Sequence, residues 1–246
     1  MSIANEQRKG GIFACLAFLM WGLAPIYFKQ IQHVSAFEIL THRVVWSVVF
    51  LVLVVSVLKY WDKVKRIVAQ PKIILMLVLT SSILGFNWGL FIWAVNNNHM
   101  LDASLGYYIN PLLNVLLGML FLGERLRKLQ GFAVFLAFAG VVLQLVSFGS
   151  FPVVAFSLAT SFAIYGLLRK KLPVEALPGI LLEALILLPV ALIYWWVMAP
   201  TPTSDLALND WHTNALLISA GIITTLPLLC FTGAAKRLQY TTLGFF

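Results

Sequence analysis

Few side chains in this sequence can do chemistry, and most of them sit among apolar residues. Glu38, His42 and Arg43 crowd the stretch AFEILTHRVVW. Glu38 and His42 are four apart, so on a helix they share a face, with Ser35 and Thr41 beside them, while Arg43 points well away. A carboxylate and an imidazole side by side suit the binding of a proton or a polar substrate. Glu183 stands alone in LLEALILLP. Asn87, Trp88, Tyr107, Asn110 and Asn114, with Trp93 and Tyr108, fit an uncharged pocket with aromatic walls. Such a pocket suits an amphipathic organic molecule better than an inorganic ion. None of these sets is catalytic in pattern. No Asp falls in the middle of an apolar run, and neither HExxH nor the phosphate-binding GxxxxGK[ST] occurs. An intramembrane hydrolase and an ATP-driven machine therefore lack their parts. His33, His42, His99 and His212 are scattered, and Glu38 with His42 offers too few ligands for a metal. Cys15 and Cys230 are far apart and form neither a disulfide framework nor a zinc pattern. No cofactor or metal is expected.

The elements that position these residues follow from composition. Of 246 residues, 61% are hydrophobic and 11% charged, where soluble domains carry about 25% charged. So few charges cannot cover a water-facing surface, and the solvent for most of the chain is lipid. Spans of roughly 20 apolar residues are expected near 10–31, 36–58, 73–95, 101–122, 129–147, 150–168, 177–198 and 214–235. A ninth starts near Tyr240. The runs are continuously apolar, not alternating as barrel strands are. Arg8 and Lys9 ahead of the first run imitate a signal peptide, but the run is a full span and seven more follow, so it reads as a retained helix.

The net charge of +8 is distributed to one side. All but Lys29 and Arg43 of the 17 basic residues fall before span one or in every second connection. The connections around NNNHMLD, SFGS and APTPTSDLALNDWHT contain none. The positive-inside rule places the basic connections, including Lys63, and the amino terminus in the cytoplasm, with Asp205 outside. A missed or invented helix would scramble that alternation. The charge therefore speaks for membrane topology, not for nucleic acid. Depth gives the buried charges two readings. At 1.5 Å per residue, His42 and Arg43 sit roughly 10 Å below the outer boundary. They line a cavity, or they snorkel to the headgroups and pair internally. Glu183 carries the same two readings. Trp61, Trp195, Trp196 and Trp211 read as an interfacial belt, and Glu124 with Arg125 and Arg127 as a helix-end anchor.

The chain also resembles itself. WGLAPIYFK overlays SFAIYGLLR, EILTH overlays the stretch ending at Glu183, and ASLGYY overlays TTLGFF, each about 140 residues apart. His42 and Glu183 then occupy matching positions. Five spans per unit would turn the second unit upside down, giving two inverted halves, 1–148 and 149–246, with a substrate site near the midplane between them. Pro25, Pro111, Pro189 and Pro227 fall inside spans, where each frees a carbonyl that needs a partner or a watery cavity. Gly85 with Gly89, and Ala159 with Ala163, are spaced for close helix contact. The first unit continues for about 40 residues beyond the position matching the end of the chain. The second half is thus expected to lack two helices, leaving a truncated product unless two copies pair.

The stretches WGLAPIYFK, EILTHRVVWS, GFNWGLFIWAVNNNHMLDASLGYYINPLLNVLLGMLFLGERL and LPLLCFTGAAKRLQYTTLGFF resemble the RarD branch of the EamA-type transporters, in the drug/metabolite transporter superfamily. The resemblance runs through the chain. It implies a ten-helix fold of two five-helix inverted repeats in a bacterial inner membrane, and export or exchange of small metabolites or drugs. The branch is named for an association with chloramphenicol sensitivity. A secondary transporter, moving solute with protons or by exchange, is thus the leading expectation. A non-transporting membrane receptor or assembly protein is the alternative.

Overall fold

The structure, a computed structural model, describes residues 3–97, 99–148, 151–198, 206–207 and 209–246. Asp205 and Gly149, where the second half is expected to start, lie outside that set. The helices are α1 (Ile3–Gln30), α2 (Ala36–Val57), α3 (Trp61–Val68), α4 (Pro71–Asn96), α5 (Met100–Leu122), α6 (Lys128–Phe148), α7 (Val153–Lys171), α8 (Ala176–Met198), α9 (Trp211–Arg237) and α10 (Tyr240–Leu243). No strand occurs among the described residues. Among the described residues eight helices are long and apolar enough to cross a membrane. The chain is an all-α transmembrane protein, as its composition requires.

Three boundaries differ from expectation for identifiable reasons. α1 starts early because its polar first turns are held outside the apolar run, with Glu6 bonded to Lys9 at 3.3 Å and to Arg237 at 3.0 Å. α7 is displaced toward its C-terminal end. Pro152 precedes its first turn, and Arg169, Lys170 and Lys171 are helical rather than part of a connection. α3 is too short to register as an apolar run. It buries Val64 and Ile67 and turns its charges out. Lys63 of α3 meets Glu175 before α8 at 2.8 Å, and the bonded carboxylate holds the lysine above its ordinary pKa.

Packing relies on small residues, because lipid supplies no hydrophobic drive between helices. Ala14 and Ala17 of α1 are buried with Ala234 and Ala235 of α9. At Gly221 of α9 the backbone of Trp46 and Ser47 in α2 comes so close that any Cβ would collide. The Ser47 hydroxyl donates to the Gly221 carbonyl at 3.1 Å, and Thr225 donates to Ser47 at 2.8 Å. Gly85 faces Leu187 of α8, but Gly89 faces nothing within 4 Å, so the GxxxG pair does not act as one contact. Ala159 and Ala163 are both buried. Pro111, Pro189 and Pro227 lie inside helices; the side chain of Pro25 is outside the described set.

The arrangement interleaves early and late helices. α9 lies on α1 and α2, α4 lies on α7 and α8, α2 lies on α8, and α5 lies on α7 and α10. α6 stands at the edge with Phe132, Phe135, Phe138 and Leu143 exposed, a face suited to lipid.

Candidate functional site

Arg43 is the residue around which the polar and aromatic candidates gather. Its position on α2 puts it where α1, α4 and α9 also pass. Nε donates to Thr224 Oγ1 of α9 at 2.8 Å. The guanidinium lies 4.7 Å from the ring centroid of Trp88 on α4 and 5.5 Å from that of Phe28 on α1. Both are cation–π distances. The hydroxyls of Tyr27 and Tyr107 lie within its electrostatic reach. The Tyr27 hydroxyl is itself fixed, donating to the Leu216 carbonyl of α9. Tyr107 packs edge-on against Phe91 at 6.2 Å, with 61% of the residue open. The aromatic set expected to be uncharged therefore has a cation beside it. Arg43 stands beside Trp88, with the Tyr107 hydroxyl within its electrostatic reach.

The asparagines tie this wall to α7. Asn87 donates to the Leu158 carbonyl and to Ser161 Oγ, both at 2.9 Å. Asn110 donates to the Ala159 carbonyl at 3.1 Å and accepts from Asn114 at 3.1 Å. Asn110 thus cross-links α5 to α7 beside Pro111, and Asn114 backs it from one turn along α5.

Glu38 and His42 take the other face of α2, as their spacing requires. His42 is 1% exposed and accepts from Trp46 Nε1 at 3.2 Å. Its ring lies 4.9 Å from that of Trp195 on α8. Trp195 is therefore a packing partner of His42, whereas Trp196 and Trp211 are exposed. Glu38 is buried in the first turn of α2, next to the Ser35 cap.

Glu183 belongs to a separate network. Its carboxylate accepts from Thr80 of α4 at 2.6 Å and from the Tyr165 hydroxyl of α7 at 3.2 Å. Arg169 Nε is 3.7 Å away, and both charged side chains are essentially sealed. Tyr165 and Arg169 are four apart, so one face of α7 presents both to the acid. Gly179 of α8 makes room, since a Cβ there would come within 2.5 Å of the guanidinium. Glu183 thus does not snorkel, and Arg169 is not one of the open connection charges, as its place in LLRKK suggested. The signal for Arg169 was present. An acid deep in an apolar span needs a cation, and Arg169 is the basic residue nearest to that depth on the adjacent helix.

Glu124 also does more than anchor a helix end. Its two oxygens accept from the backbone N–H groups of Tyr240 at 2.8 Å and Thr241 at 2.7 Å. Among the described residues no group of three or more His, Cys, Asp or Glu gathers in metal-binding proximity.

Known proteins are similar to this chain in sequence. Residues 8–146 match the EamA-like transporter family. A Vibrio cholerae protein named an uncharacterized transporter is 61% identical over 242 residues, which is 98% of this chain and 80% of that protein. Proteins named RarD in Salmonella typhimurium and Escherichia coli are 57% and 54% identical over 99% of this chain, and over 83% and 82% of their own lengths.

Proposed function

This chain belongs to the EamA-like transporter family, and from that premise we propose that it is a secondary transporter moving small organic solutes across a bacterial inner membrane. Its amino terminus is cytoplasmic, and it works by alternating access between two inverted halves. The observation that carries this reading is how helices meet across the halves. α1 lies on α9, and α7, its repeat counterpart, lies on α4. α2 lies on α9, and α8 lies on α4. Under an exchange of halves these contacts map onto each other, and the α2–α8 contact maps onto itself. Two similar arrangements of opposite orientation have two low-energy ways to pack, one opening each side.

In this reading the solute passes the wall formed by Arg43, Trp88 and Tyr107, with Asn87 and Asn110 fixing that wall to α7 and Asn114 holding Asn110. Glu38 and His42 are buried on the other face of α2, toward the outer end, where a carboxylate near an imidazole can take up a proton. Glu183 positions α4, α7 and α8 on the cytoplasmic side. The test compares the metabolites released by cells that express this chain and by cells that lack it. The solutes that differ are then measured for uptake into proteoliposomes. At least one small organic solute is expected to differ outside the cells and to enter vesicles only when protein is present. Identical external profiles, with no protein-dependent uptake, would refute transport.

A further inference from the structure

We infer that Arg43 is an anion-recognition point, and that the site it forms with Trp88 and Tyr107 takes the carboxylate of a small aromatic organic acid. The inference deepens the transporter reading by naming a substrate class for the same wall, and it rests on that reading only for what happens to the acid after binding.

A guanidinium within an apolar span needs a counter-charge. Among the described residues no carboxylate lies within 4.0 Å of Arg43. The acids of the helices around it are turned elsewhere. Glu6 of α1 is held by Lys9 and Arg237 at the far end of that helix. Asp102 of α5 meets His99 at 2.9 Å, and Glu183 of α8 meets Arg169. Glu38 is five positions back on α2, about 140° around the helix axis. α4 and α9 contain no acid.

The contacts Arg43 does make engage Nε and bring two rings to the guanidinium, without a hydrogen bond to its terminal edge. Thr224 takes Nε and fixes the plane of the guanidinium, while Trp88 and Phe28 are its ring neighbours. The two terminal nitrogens make no hydrogen bond to a described residue, and the arginine is buried, with 8% of it exposed. Arg169 offers the contrast, wholly enclosed beside its own acid. A flat guanidinium with its terminal edge free matches a carboxylate through two parallel hydrogen bonds, which an amine or a neutral amide cannot reproduce. The apolar part of the acid then lies along the open ring of Tyr107.

The test uses the purified chain in nanodiscs of phosphatidylcholine, so that no anionic headgroup competes. Three probes of one shape are compared by isothermal titration calorimetry: 3-phenylpropanoate, 3-phenylpropanamide and 3-phenylpropylamine. The carboxylate is expected to bind at least tenfold more tightly than the other two. That preference is expected to vanish in Arg43→Gln and to weaken in Arg43→Lys, which keeps charge but loses the fork. The wild-type comparison needs no variant, so a poorly folded Arg43→Gln leaves the test intact. Equal affinity for acid and amide, preference for the amine, or no binding of any probe at millimolar concentration would overturn the site. Uptake of the same probes into proteoliposomes separates the two readings. Binding of the acid without flux would support the site and count against transport. Flux of metabolites with no preference for the acid would support transport and sink the site.

Discussion

Glu183 and Arg169 form a buried ion pair, and such pairs are asymmetric in their energetics. Removing one partner strands the other charge, whereas replacing both with apolar groups is often tolerated. Glu183→Gln and Arg169→Gln are each expected to lower stability by about 3 kcal/mol. The double variant Glu183→Leu with Arg169→Met should recover most of that loss. Thermal unfolding of the purified variants checks it. A Glu183→Gln protein as stable as the parent would show that the 3.7 Å pair contributes little. The same comparison bears on function, because Glu183→Gln keeps shape while removing charge. If the double variant regains stability and still transports, Glu183 positions helices and does not carry protons.

At the scale of elements, α2 and α9 cross with their backbones in close approach, and Gly221 permits it. Gly221→Ala puts a methyl group into the backbone of Trp46 and Ser47, where no flexible side chain can yield. A loss of about 1–3 kcal/mol is expected from such overpacking. Gly89→Ala is the control, since nothing stands within 4 Å of its Cβ. Alanine there should be neutral or stabilise by up to about 1 kcal/mol. Equal effects of the two substitutions would contradict the close crossing. The start of α9 adds a pH dependence. The Asp210 side chain accepts from the Thr213 N–H at 3.3 Å and caps the helix. The bonded Thr213 holds the carboxyl below its usual 3.8. A lowered folded pKa means stability present above the unfolded pKa and lost as pH falls through the folded one. Asp210→Ala should therefore destabilise at neutral pH, and the difference should disappear in acid below the folded pKa. A difference that persists unchanged at that pH would assign the effect to something other than the charged cap.

For the whole molecule the testable quantity is sidedness. The basic connections imply that α3 faces the cytoplasm and the start of α9 faces outward. The Lys63–Glu175 contact brings the α2–α4 and α7–α8 connections to one side, consistent with the charge alternation. In a background with Cys15 and Cys230 replaced by alanine, Trp211→Cys should react with a membrane-impermeant maleimide in intact cells. Lys65→Cys should react only after lysis. The reverse pattern would invert the topology.

Length and hydropathy determined the spans, because a bilayer demands about 20 apolar residues for each crossing, and all eight appear as helices close to their expected places. Charge spacing likewise settled which residues share a turn. Arg43 does point away from His42, since i and i+1 are about 100° apart on any helix. What the sequence could not supply was which face of each helix meets protein. A span that is apolar all round has no stripe to mark its packed side, so the exposed face of α6 and the open side of Gly89 look like any other in the string. The same limit hid the long-range pairs. Arg169 reads as one more basic residue at a helix end until α8 brings Glu183 beside it. Arg43 reads as a charge that lines a cavity or snorkels, with no partner named, until α1, α4 and α9 place Phe28, Trp88 and Thr224 around it. Those partners come from helices distant in sequence, and only the packing of the bundle decides which side chains meet.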